Sequence, residues 1–215
     1  MKRIVGIFCM ILGLSLLLGA GILLYHNRTR ELRAEAFTEE VVPQLVEQIR
    51  WEPGETEPAA QLPEAPRPGL QTSVPEMGEV ELQGYRYIGI LSLPSLGLEL
   101  PIMSDWDYDQ LQIAPCRYYG NIHKDNLVLM AHNYRNHFGR LSELNPGDTV
   151  MFTDVEGIVT EYTVVARDIL LPSAVEEVTA GDFDLTLFTC TYGGKSRITI
   201  YCDRTPRNTV PQQAN

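Results

Sequence analysis

Apolar and polar positions along the chain fall into three regimes. Ile4 to Tyr25, IVGIFCMILGLSLLLGAGILLY, holds no charged residue. As a helix rising ~1.5 Å per residue it spans about 33 Å, the thickness of a bilayer core. This pattern predicts an uncleaved anchor crossing the membrane through residues 4–25. A signal peptide is the competing reading, with Leu18-Gly19-Ala20 as a small-residue cleavage site, although the apolar stretch exceeds the usual ~7–15 residues. Asn27 to Trp51 is charged and Glu-rich, with apolar residues at Leu32, Phe37, Val41, Val42, Leu45, Val46 and Ile49. That spacing predicts an amphipathic juxtamembrane helix over 27–51, interrupted or started at Pro43, serving as a stalk. Residues 52–82 carry Pro53, Pro58, Pro63, Pro66, Pro68 and Pro75 among many Glu. So little there can be buried that an extended linker is expected, reaching several tens of Å at ~3.1 Å per residue.

From Gly84 the pattern becomes short apolar runs broken by turn signals. Tyr85–Leu93, Leu96–Met103, Leu127–Ala131, Thr149–Thr153, Ile158–Leu170, Asp184–Thr189 and Arg197–Cys202 read as strands, rich in Val, Ile, Thr and Tyr. Pro94-Ser95 and Asn145-Pro146-Gly147-Asp148 read as turns. Helical signals are brief, at Asp105–Leu111 and Asn136–Leu144. Many short strands with few helices predict a mainly β domain over 83–207, a closed barrel or sandwich, followed by a tail at 208–215.

Charge narrows the partners. The chain has 17 Lys+Arg against 28 Asp+Glu, a net −11. Lys2 and Arg3 are the only charges in residues 1–26, so everything after them carries −13. An acidic body without a polybasic run excludes nucleic acid as the expected partner. Arginines flank the apolar segment on both sides (Arg3; Arg28, Arg30, Arg33), so the positive-inside rule gives no firm orientation. The cysteines are Cys9, Cys116, Cys190 and Cys202. No CxxC and no Cys/His spacing of a zinc site occurs, and no cofactor or metal is expected. Cys116 and Cys202 are open to two readings, core thiols or a disulfide pair.

Three positions stand out chemically. Cys190 closes the apolar strand Thr186-Leu187-Phe188-Thr189 and is followed by the loop Thr191-Tyr192-Gly193-Gly194, an accessible place for a thiol. A buried core cysteine is the alternative. His132 likewise ends the apolar strand Leu127–Ala131; taken alone it also fits an ordinary surface histidine. His123, His137 and His26 are weaker candidates. If 184–190 and 197–203 form a hairpin, Arg197 lies opposite Cys190. Arg204, seven residues on, is ~23 Å away. Thiolate, imidazolium and guanidinium together suit acyl transfer through a covalent intermediate.

With these residues in view, the sequence resembles the sortases, cysteine transpeptidases of Gram-positive cell surfaces. Thr186–Cys190 matches the family's TLxTC motif, Arg197 falls at its catalytic arginine and His132 at its catalytic histidine. Tyr87–Pro94 and Leu98–Ile102 are similar to its opening strands, so the likeness covers roughly 85–204. The resemblance implies an eight-stranded closed β-barrel with short helices, behind an N-terminal transmembrane helix and stalk. It implies a catalytic domain on the extracellular face of the cell membrane, with residues 1–26 forming a cytoplasmic N-terminus and a single-pass transmembrane anchor. It further implies cleavage of an LPxTG-like sorting peptide of secreted proteins, with transfer to an amine of a peptidoglycan precursor or pilin lysine. By this likeness Cys190 is the nucleophile, His132 the general acid and base, and Arg197 the oxyanion and substrate clamp. Ala131 stands where many members have Gly. His132-Asn133 with Phe138-Gly139-Arg140-Leu141 is reminiscent of class B, yet the interval of 58 residues from His132 to Cys190 is too short for the class B helical insertion. Some class A members use calcium; Asp105, Asp107, Asp109, Glu176 and Glu177 are the carboxylates available, and a solvated acidic surface is the expected role.

Two other readings fare worse. An L,D-transpeptidase would place His-Gly directly before the cysteine, where this chain has Phe188-Thr189, and a papain-like protease would open a helix at the cysteine. A non-enzymatic anchored β-domain that only binds a surface partner is the remaining alternative.

Overall fold

The computed structural model describes residues 2–51 and 75–205. The proposed tail at 208–215 and most of the proposed linker lie outside them.

Residues Lys2–Trp51 form one helix, α1. Its first part, through Tyr25, is exposed and apolar, long enough to cross a membrane. Pro43 does not start or interrupt the helix. It sits on the exposed side, where the Glu39 carbonyl that loses its amide partner can turn to water. Past Glu31 the helix is more than a stalk. Ala34, Val41, Leu45 and Ile49, spaced along one stripe, are buried, and the last three pack with Tyr87, Ile90, Met103, Leu111, Ala114 and Cys116 of the β-domain.

The β-domain begins with β1 (Val80–Leu82), inside the stretch expected to be linker. Then come β2 (Tyr85–Leu93), β3 (Leu98–Met103), α2 (Tyr108–Leu111), β4 (Cys116–Tyr119), β5 (Leu127–Met130), β6 (Thr149–Asp154), β7 (Val159–Leu170), α3 (Val175–Thr179), β8 (Leu185–Cys190) and β9 (Arg197–Arg204). The strand order is β1-β2-β3-β4-β5-β8-β9-β7-β6, and β6 pairs back onto β2. Strands β2 to β9 thus close an eight-stranded barrel, with β1 an added edge, as the strand pattern and the resemblance predict. Closure leaves no exposed edge among those eight strands. Inward-facing Leu91, Leu100, Leu129, Phe152, Val164, Leu187 and Ile200 fill the interior. The helical signal at 136–144 is a short 3₁₀ stretch, Phe138–Glu143, and the one at 105–111 shrinks to α2, capped by the Asp107 carboxylate accepting from the Asp109 and Gln110 amides.

Closure depends on one glycine. At Gly89 (φ +151°) β2 shifts register and pairs with both β3 and β6. An added Cβ would lie 2.1 Å from the Thr153 carbonyl oxygen. Gly89→Ala is expected to lower stability by on the order of 3 kcal/mol, combining a strained backbone with overpacking, measurable by urea titration of the purified protein.

Cys116 and Cys202 are free thiols, both buried. They belong to different clusters, Cys116 under α1 and Cys202 inside the barrel, which decides between the two readings of the sequence. Burial pushes each thiol up to about 12.

Candidate active site

Three neighbouring strand ends build the site. β5 and β8 run parallel, with Leu127 beside Leu185 through Met130 beside Phe188. The tie continues past the strand. The Ala131 amide donates to the Phe188 carbonyl (3.3 Å), and the buried Thr189 hydroxyl donates to the Ala131 carbonyl (2.8 Å). One residue further, His132 comes level with Cys190. On the other side β8 and β9 form an antiparallel hairpin in which Cys190 pairs with Arg197. The Thr191 amide donates to the Ser196 carbonyl (2.8 Å) and closes the loop. His132, Cys190 and Arg197 therefore stand in a row across three adjacent strands, which lie ~4.8 Å apart.

Alternation along the strands sends all three to one face. Leu185 and Leu187 point into the barrel, so Thr186, Phe188 and Cys190 point outward. On β9, Ile198, Ile200 and Cys202 point in, so Arg197 points out. Val128 and Met130 pack outside with Phe188, Leu170 and Val178, and this places His132, two residues further on, on the same side. Phe188 and its neighbours form an apolar floor beneath the row.

Cys190 is exposed. The Arg197 guanidinium lies over the Phe188 ring, 5.1 Å from its centroid. Its Nε and Nη1 atoms are buried and meet no acceptor among the described residues. Two unsatisfied buried donors on a permanent cation form a ready receptor for a carbonyl oxygen or oxyanion. Burial, and secondarily the Arg30 charge, hold His132 below the usual histidine range. At neutral pH its imidazole is mostly neutral and able to accept a proton.

Several site residues are not apparent in the sequence. A cleft of about 730 Å³ beside His132 has α1 as one wall, through Leu24, Asn27, Arg28, Arg30 and Glu31. Its other wall includes Tyr108, Gln112, Tyr134 and Tyr192. The Glu31 carboxylate accepts from the Arg135 amide (2.8 Å), tying α1 to the loop after His132. Leu32 and its neighbours signal an amphipathic helix, but nothing local tells what that helix touches. His137 is fully buried, next to Tyr134, which stacks obliquely on His132.

Two of the five carboxylates considered for calcium have other duties. Asp105 pairs with Arg86, and Asp107 caps α2. Among the described residues no group of three or more His, Cys, Asp or Glu is disposed to hold a metal ion.

Burial pushes the His137 imidazole down to about 4, with His132 adding to the effect. A folded-state value below the unfolded ~6.5 means that the unfolded chain binds the proton more readily. Stability contributed by neutral His137 is complete above about pH 6.5 and drains away as pH falls toward 4. The loss is expected to be on the order of 3 kcal/mol, and His137→Leu should flatten it, as read by chemical denaturation at several pH values.

An outward-facing thiol stands level with an imidazole and with a guanidinium whose buried donors meet no acceptor among the described residues, an arrangement of the kind that cysteine-centred acyl transfer uses. The family model described as the sortase domain matches residues 91–205, more than half of the chain, and the chain belongs to the sortase family. It is thus a transpeptidase of sortase type. Sortase A from Corynebacterium diphtheriae is similar in structure, with TM-score 0.51 and 22% identity, over 59% of this chain and 64% of that one. A sortase D5 transpeptidase from Clostridium perfringens aligns with TM-score 0.50 and 19% identity, over 56% of this chain and 79% of that one. Sortase C from Clostridium perfringens SM101 is 25% identical with TM-score 0.47, over 56% of this chain and 70% of that one. No curated protein matches the chain. Between His132 and Cys190 the one α-helix is the five-residue α3, so a long helical insertion of the class B kind is missing from this interval.

Proposed function

We propose that this chain is a single-pass membrane enzyme that cleaves an LPxTG-like sorting signal of secreted proteins and joins the freed carboxyl group to an amine of the cell wall or a pilin. The observation that carries the reading is the shared face and level of Cys190, His132 and Arg197 at the ends of three adjacent strands. The catalytic domain would stand on the extracellular side and the N-terminus inside.

His132 takes the thiol proton of Cys190, and sulfur attacks the backbone carbonyl carbon of the sorting signal's threonine. Arg197 donates from Nε and Nη1 to the oxygen as it gains charge. The C–N bond breaks, and the imidazolium gives its proton to the departing amine. A thioester remains on Cys190. The acceptor amine then attacks it, His132 receives the amine's proton, the C–S bond breaks, and the imidazolium returns that proton to the departing sulfur, which restores the thiol and the neutral imidazole. Splitting amide exchange into two displacements lowers each barrier. The pull of Arg197 grows as charge develops, so it favours the transition state over the bound substrate.

The test is capture of the intermediate. Full-length protein incubated with a library of sorting-type peptides and no amine acceptor should gain the mass of the peptide's N-terminal fragment on the tryptic peptide containing Cys190. An adduct on Cys9 alone, or peptide turnover without any adduct on Cys190 under rapid quench, would overturn the assignment.

A further inference from the structure

The continuity of α1 fixes the height above the membrane of the cleft beside His132. If Ile4–Tyr25 crosses the bilayer, its ~33 Å match the ~30 Å hydrocarbon core, and Tyr25 marks the outer boundary. The helix continues without a break, and its residues Leu24 to Glu31 line the cleft. Glu31 is six residues past Tyr25, about 9 Å along the axis. The headgroup layer is ~5–7 Å thick on each side. The cleft therefore opens within or just above the headgroups.

The opposite wall carries two tyrosines with little intramolecular cover. Tyr192 is 89% exposed and Tyr108 76%. Tyr192 rides the β8–β9 loop, directly before Gly193 and Gly194 with φ of +86° and +70°. Tyr108 begins α2, with Trp106 packed edge-on against it at 5.9 Å between ring centroids. An exposed aromatic ring costs solvation unless something apolar meets it, and rings with a polar tip favour the membrane–water boundary. Both rings line the same cleft as Leu24, a residue of the apolar segment itself.

We infer that Tyr108 and Tyr192 are interfacial anchors: the tips of the β3–β4 connection and the β8–β9 loop rest in the lipid headgroup layer and form a second membrane contact beside α1. The inference rests on the transmembrane reading of residues 4–25. The occupant of this surface is a lipid bilayer, because the patch is continuous with the span and lies at its boundary height. Held at two places, the barrel cannot swing about α1, and the cleft faces the bilayer surface.

The test uses the full chain in phosphatidylcholine–phosphatidylglycerol vesicles, with or without lipids brominated high on the acyl chain. Trp51→Phe with Trp106→Phe removes the native tryptophans, and Tyr25→Trp, Tyr108→Trp or Tyr192→Trp then places a single reporter. Expected is quenching by brominated lipid at all three positions, with blue-shifted emission. Native Trp51 in the Trp106→Phe protein, ~39 Å beyond Tyr25 along the helix, should remain unquenched. Quenching at position 25 with none at 108 and 192 overturns the second contact and leaves the span standing. No quenching at position 25 overturns the span, and this inference with it. Equal quenching at Trp51 would mean that the helix lies flat, which also overturns the geometry. Both tyrosines are exposed, so neither reporter threatens folding.

Discussion

Cys190→Ala should reduce cleavage and transfer of a sorting peptide to background, a loss on the order of 10⁴-fold or more, because no thioester can form. The fold should be untouched. Cys190 is exposed at the end of β8 and supports no packing, so the stability change should stay within about 0.5 kcal/mol. No other thiol can stand in. Cys116 and Cys202 are buried with their thiols pushed up to about 12, and Cys9 lies in the apolar segment. Single-turnover kinetics on the full chain would measure the loss. A native alkylation map should show Cys190 reacting far faster than Cys116 or Cys202. Activity surviving in Cys190→Ala would sink the enzymatic reading.

Arg197→Ala should cost about 10²–10³-fold in kcat, the range for removing one strong oxyanion donor. Arg197→Lys should recover only part of that, since an ammonium lacks the planar fork. Stability separates this from a structural role. The guanidinium has two buried donors without acceptors and one ring contact to Phe188. Removing it relieves unsatisfied donors while giving up about 0.5–1 kcal/mol of cation–π attraction, so the melting temperature should hold or rise. A large fall in stability together with unchanged kcat would refute the assignment.

The hairpin is the part of the site most legible in sequence. Cys190 and Arg197 are seven residues apart, and a turn over 191–196 makes their pairing a matter of local geometry. His132 is different. Its place depends on the parallel β5–β8 pairing, which joins segments 58 residues apart and has no local signature. The likeness to a family supplied that residue more than periodicity did. Strand β4, Cys116-Arg117-Tyr118-Tyr119, escapes the pattern because Arg117 and two half-exposed tyrosines break its alternation; pairing with β5 makes it a strand. β1 was hidden by its proline-rich neighbourhood, and it forms only against Tyr85–Tyr87. The β3 boundary moves from Leu96 to Leu98 because Pro94–Leu96 winds into a 3₁₀ turn that ends on Gly97 in the left-handed region. The docking of α1 could not be foreseen, since an apolar stripe does not name its partner.

The Cys190–Arg197 pairing also bears on redesign. A strand slipped by one position turns every side chain over. The turn between β8 and β9 can accept foreign residues or extra length, provided the ladder below it stays fixed. Sliding β9 by a single step would rotate the guanidinium into the barrel's oily interior and strand the sulfur alone outside. Chimeras that exchange this loop should be joined within the turn, above the Thr191–Ser196 tie.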